Sequence, residues 1–180
     1  MHSKCVSSIE DSGRLLVMEF DETRWREIQG FASFAGTSAP KAVVVALNSI
    51  IDSSVSAATW SSMDTTASTT AWKCWVVTER SVGYVLIRYK KADYDERVER
   101  ENELTPSSWS VWVRPLADII GIRYGAFYAA EGNPNVFYPA EPIKVIFSDG
   151  GVNIPAGPIP TDQRAEVSRV ITALREFVKF

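Results

Sequence analysis

Histidine is almost missing from this chain: His2 is the only one in 180 residues. Catalysis built on an imidazole base, and most zinc sites, therefore lose their usual residue. Cysteine is nearly as scarce, since Cys5 and Cys74 stand far apart, with no C-x-x-C pair and no dense disulfide spacing. Reduced thiols and a cytoplasmic location are the expectation. Cys74, inside "WKCWVV", reads as a small buried apolar residue. Phosphate-gripping glycine loops are missing too, with neither G-x-x-x-x-G-K-[ST] nor G-x-G-x-x-G after a strand. Long hydrophobic runs are also lacking: the longest, "AVVVALNSII" at residues 42–51, is about half of what a bilayer crossing takes, and the first residues carry no apolar leader. No membrane span and no export signal are expected. Nor is charge of one sign in excess, with 22 acidic against 19 basic residues and a formal net charge of -3. That balance offers nothing to draw in a phosphate backbone, so nucleic acid is not an expected partner and no cofactor is implied.

What is there is an ordinary globular composition, 46% hydrophobic and 11% aromatic, in a chain about the length of one domain. It can bury a full core. Residues 14–20, "RLLVMEF", read as a strand suited to a sheet edge. From Asp21 the period changes, because Trp25, Ile28 and Phe31 recur on one side of a helix that Asp21 would cap and Gly36 would end. Ser38 and Pro40 then open a second helix with Val43, Leu47 and Ile50 on its stripe. Residues 53–70, rich in Ser, Thr and Ala, read as a linker or frayed helix end.

Past that stretch the period drops to two. Residues 72–78 and 81–89 read as strands joined by a tight "ERS" turn and apolar on both faces, so both faces should be covered. Residues 90–106 form a charged insertion. In "SWSVWVRP", residues 108–115, Trp109, Val111 and Val113 fall on one face and Trp112 on the other. A strand over 118–124 follows, then a loop over 127–140 with a cluster of Phe127, Tyr128, Phe137 and Tyr138. "IKVIF" and "VNIP" flank an Asp-Gly-Gly that suits a hairpin with Asp149 and Gly150 in a type I′ turn and a bulge at Gly151. The chain closes with a helix, capped by Thr161 or Asp162, whose stripe is Val167, Val170, Ile171, Leu174, Phe177 and Val178.

Chemistry is thin along this pattern. Asp93, Asp95, Glu96 and Glu99 could face a hard cation, but interleaved basic residues and the wrong spacing favour a solvated charged loop. Asp118 is a lone carboxylate without a visible partner for acid-base work. Six tryptophans are best read as sheet packing, with Trp75 and Trp112 as the candidates for an exposed aromatic surface. Arg80, in the hairpin turn, and Arg114, at the end of its strand, are the basic residues nearest to it. These four, Trp75, Trp112, Arg80 and Arg114, are the candidate partner-binding set, with no catalytic residue and no metal ligand among them.

Over residues 72–180 the order of signals resembles bacterial pleckstrin-homology-like (PH-like) domains. "WVVTERSVGYV", "WVRPLADIIGI", "IKVIFSDGGVNIP" and the terminal helix carry that resemblance. It implies an α+β fold, an antiparallel β-sandwich or barrel capped by the C-terminal helix. It also implies a non-enzymatic binding or scaffolding role. Residues 1–70, an N-terminal strand and two helices, do not belong to the minimal PH-like pattern and are expected to pack on a main domain of 71–180 as one globular unit. The loop at 79–81 lacks the basic cluster of phosphoinositide-binding members, so a phospholipid headgroup is not carried over and a protein partner is the expectation. The same element order also resembles the helix-grip (START-like) fold, a curved sheet around the last helix that encloses a small hydrophobic ligand for carriage or hydrolysis.

Overall fold

The computed structural model describes residues 21–51, 58–90, 105–139, 141–154 and 163–177. The readings at 14–20, His2, Cys5, Thr161 and Asp162, and the charged stretch 91–104, lie outside these residues. The described chain is α+β. Helices α1 (Glu22–Ala32) and α2 (Lys41–Ile50) come first, then nine antiparallel strands, then helix α3 (Arg164–Phe177).

Helix α1 begins as its sequence dictates, the Asp21 carboxylate accepting from the Arg24 backbone N–H at 2.7 Å. It ends earlier than Gly36 suggests, at Ala32, and the chain reverses at once. Phe34 and Thr37 exchange backbone hydrogen bonds across Ala35 and Gly36, both at positive φ, 50° and 78°. Helix α2 starts at Pro40 without help from Ser38, since no side chain caps it and the Pro40 carbonyl accepts from Val43 and Val44. The two helices are tied at their far ends by Arg24, whose guanidinium donates to the Ile51 carbonyl at 3.1 Å and to Asn48 Oδ1 at 3.3 Å.

Strands β1 (Ala58–Thr65), β2 (Thr70–Val77), β3 (Ser81–Tyr89) and β4 (Ser108–Pro115) form one antiparallel meander in that order. The expected linker over 53–70 is thus corrected: residues 58–65 within it are β1. Its alternation is written in polar residues, for Trp60 points into one core while Ser61 turns to the other face, donating to the Phe31 carbonyl at 2.9 Å. The β2–β3 turn is held by Thr78, whose hydroxyl accepts from the backbone N–H of Arg80 and of Ser81.

After a single 3₁₀ turn (Leu116–Asp118), which replaces the start of the strand expected from 118, β5 (Ile119–Arg123) enters a second sheet with β8 (Ile143–Phe147) and β9 (Gly150–Ile154). Between them β6 (Phe127–Ala130) and β7 (Asn133–Pro139) make a two-stranded ribbon where a loop was expected. Gly132, at φ 75°, turns it, and its prolines are tolerated because β7 has an unpaired edge among the described residues.

The β8–β9 hairpin is where the sequence placed it, but its turn is not. Pairing runs unbroken from Ile143↔Ile154 to Phe147↔Gly150, so the turn residues are Ser148 and Asp149, without a bulge at Gly151. A type I′ turn needs positive φ at both central residues. Outside glycine only Ala35 has one among the described residues, so the turn is of another type and Gly150, at φ 146°, absorbs the unusual backbone one step later.

The four-stranded sheet is a wall between two cores. On one side Trp72, Cys74, Val76, Val85 and Ile87 pack under Ile28, Val43, Val44 and Leu47 of α1 and α2. On the other, Trp60, Trp75, Val77, Val82 and Tyr84 meet Ile143, Val145 and Phe147 of the second sheet and Val167, Val170, Ile171 and Leu174 of α3. Both faces of β2 and β3 are therefore covered, which is why both read as apolar.

Candidate functional site

Register across the large sheet lines side chains up in rows. On the α3 side, Trp60 faces Trp75, Trp75 faces Tyr84 and Tyr84 faces Trp112. The rings of Trp75 and Tyr84 lie 4.5 Å apart, and Trp75 meets Trp112 edge-on at 5.4 Å. Trp75, 1% exposed, sits in the middle of this row and presents no surface to a partner; its aromatic strand signal came from core packing. Trp112 ends the row half-buried.

On the helical side three rows run outward: Met63–Trp72–Ile87–Trp109, Ser61–Cys74–Val85–Val111 and Thr59–Val76–Gly83–Val113. Their inner members are buried under α1 and α2. Their last members are not. Helix α2 lies over β3, close enough that Ile50 Cδ1 would stand 2.7 Å from a Cβ on Gly83, and beyond it Trp109 is 74%, Val111 39% and Val113 49% exposed. Strand β4 is also the end of its sheet, with no hydrogen-bonded neighbour on its outer side among the described residues. The opposite end strand, β1, is flanked by α1 and α3. Natural edges are guarded by lysines, prolines, bulges or inward charges; β4 has Pro115 at its end, and the stripe itself carries none of these.

The alternation in "SWSVWVRP" had sorted these residues onto faces correctly. What it could not decide was which face α2 leaves uncovered, and Trp109, Val111 and Val113 were the residues passed over. Their signal was local: three apolar side chains, two residues apart, on a strand ending in proline.

The basic candidates are separated from one another by function. Arg114 pairs with Asp149 of the β8–β9 turn and lies over the rings of Phe147, at 4.6 Å, and Trp112, at 5.8 Å. Its guanidinium holds the Asp149 carboxyl below the usual carboxylate range. The residue thus clamps the two sheets together. Arg80 is exposed at the β2–β3 turn, and its carbonyl accepts from the Leu116 N–H at 2.8 Å, docking that turn on the 3₁₀ segment. Asp118 closes the 3₁₀ turn on the surface.

Reactive groups are muted. Cys74 is 1% exposed, and burial pushes its thiol up to about 12 against a weaker opposing hydrogen bond from Ser61. Burial likewise pushes the Tyr84 phenol to about 12. Among the described residues no group of three His, Cys, Asp or Glu side chains is placed to hold a metal ion, and no helix is long and apolar enough to cross a membrane. A shallow open depression on the outer face of α3, lined by Ser168, Arg169, Thr172 and Glu176 among others, lies away from the core between the sheets. Compared with protein-family models, with curated proteins and with solved structures, the chain matches none.

Proposed function

We propose that this chain is a non-enzymatic binding module that takes a protein partner in extended form along β4. The observation that carries the reading is an edge unpaired among the described residues, whose stripe, Trp109, Val111 and Val113, continues three rows of the sheet into solvent. A strand laid beside β4 would gain main-chain hydrogen bonds for affinity and would read the stripe with alternate side chains for specificity. The PH-like architecture belongs to the same proposal. A four-stranded meander, a three-stranded antiparallel sheet and a terminal helix packed on the core they share support it, although the described strands form separate sheets and not a closed barrel. The helix-grip alternative would need a void beside the last helix, where Trp60, Trp75, Ile143, Val170 and Leu174 pack with at most 4% exposure. Arg114, engaged by Asp149, supports no anionic headgroup.

The test is selection of displayed peptides of about ten residues on the purified chain, followed by amide perturbation mapping of the best binder. Shifts concentrated on β4 and loss of binding in Trp109→Lys are the expected result. Binders that map elsewhere, or that survive Trp109→Lys unchanged, would sink the reading.

A further inference from the structure

The edge of β4, unpaired among the described residues, has a second property: it is complementary to itself. We propose that two copies of the chain pair through β4, antiparallel about a two-fold axis at Val111, joining two four-stranded sheets into one of eight.

In that register Trp109 lies opposite the second copy's Val113, Val111 opposite its own counterpart, and Val113 opposite the second copy's Trp109. A large ring meets a small branched side chain at both ends, a favourable cross-strand pairing. Charge does not interfere. The only ionic side chain on β4, Arg114, is on the opposite face and is already engaged by Asp149; in this register it stands opposite a serine, Ser108 of the second copy. Like charges facing one another are the usual obstacle to such isologous pairing, and here there are none. Continuity points the same way, because the stripe is the outer end of rows whose middle members, Trp72, Cys74, Val76, Val85 and Ile87, are core, so a second sheet edge extends the existing packing.

Magnitude sets the character of the pair. With about 250 Å² for a fully exposed tryptophan, the stripe offers roughly 300 Å² of apolar surface per copy, well below the ~800 Å² per partner of a standard interface. The pairing is therefore reversible and weak, with a dissociation constant on the order of 100 µM, beyond the micromolar end of standard-size interfaces. Since dimerisation and peptide capture use one edge, they compete, and the free chain would be released for a partner as it is diluted.

Sedimentation velocity from about 1 µM to about 300 µM reads this directly. The wild type is expected to rise from 20.0 kDa toward twice that mass. Val111→Lys and Val111→Glu, each checked by circular dichroism for an intact fold, should each weaken association at least tenfold, because like charges then meet on the axis. An equimolar mixture of the two should recover the dimer, because lysine then meets glutamate. If either variant fails to fold, the same swap at the more exposed Val113 paired with Trp109 replaces it, Trp109→Glu being mixed with Val113→Lys. A wild type that stays monomeric throughout, a dimer indifferent to Val111, or a dimer seen only after deletion of residues 1–20 would each overturn the proposal, the last by giving the edge to the chain's own N-terminal segment. Peptide capture is measured separately at monomeric concentration; of these outcomes only the last bears on it, because a covered edge would exclude a peptide too.

Discussion

Trp72 and Trp109 sit in the same cross-sheet row with Ile87 between them, and truncating each to alanine should have opposite weight. Trp72 is 0% exposed, so its replacement removes the whole burial of an indole. At about 25 cal/mol per Å² over roughly 200–250 Å² the transfer term alone is about 5–6 kcal/mol as an upper bound, and buried Trp→Ala changes typically cost about 3–5 kcal/mol. Trp109 is 74% exposed, which leaves about a quarter of that area hidden and a cost of about 1 kcal/mol. Urea unfolding at about 1 µM protein, where the proposed pair is dissociated, gives both numbers from one linear extrapolation. An equally large loss in Trp109→Ala would refute the reasoning, because it would mean that something covers the stripe in the monomer. A small loss in Trp72→Ala would be as damaging, since the helical layer would then not be packed on the sheet.

Two other outcomes follow from local structure. Ala35, exposed and at φ 50°, occupies a conformation that costs a side chain about 1 kcal/mol; Ala35→Gly should gain about 0.5 kcal/mol after the larger unfolded-state entropy of glycine, and Ala35→Val should lose more than about 1 kcal/mol, both read from denaturation midpoints. The thiol of Cys74 and the phenol of Tyr84 titrate ordinarily at 9.0 and 10.0 and in the fold at about 12, so both stay protonated where the unfolded chain ionises. Their contribution is complete below pH 9 and declines as pH rises toward 12. The thermal midpoint should accordingly fall from about pH 9 upward, less steeply in Cys74→Ala, and an unchanged slope in that variant would contradict the assignment.

Much of the fold was legible because periodicity and local chemistry agreed. Asp21 caps α1 as its type and place required, and the stripe of α3 from Val167 to Leu174 is buried as its spacing demanded. The misses have a common cause, the dependence of a segment's fate on neighbours distant in sequence. Strand β1 was hidden because Ser61, polar by itself, is buried by partners contributed from α1 and β2, the Phe31 carbonyl and the Cys74 sulfur. The β6–β7 ribbon looked like a loop because proline and glycine punctuate it, yet a ribbon with a free edge can hold both. The β8–β9 turn slipped by one residue because Asp-Gly is a strong type I′ signal, while the unbroken pairing from Ile143 to Phe147 placed Gly150 in the ladder. At the candidate site the same limit applied: strand alternation sets the two faces, but only the end of α2 over Gly83 decides which one meets water.

The wall between the two cores has a consequence for how this chain tolerates change. Among the described residues, substitutions under α1 and α2 and substitutions around α3 act through different sets of neighbours, with the backbone of one sheet as their common boundary. Their costs should add simply when the sites are well separated. The helical layer and the layer holding α3 can therefore be repacked one at a time, each remodelled against a partition that the other keeps standing.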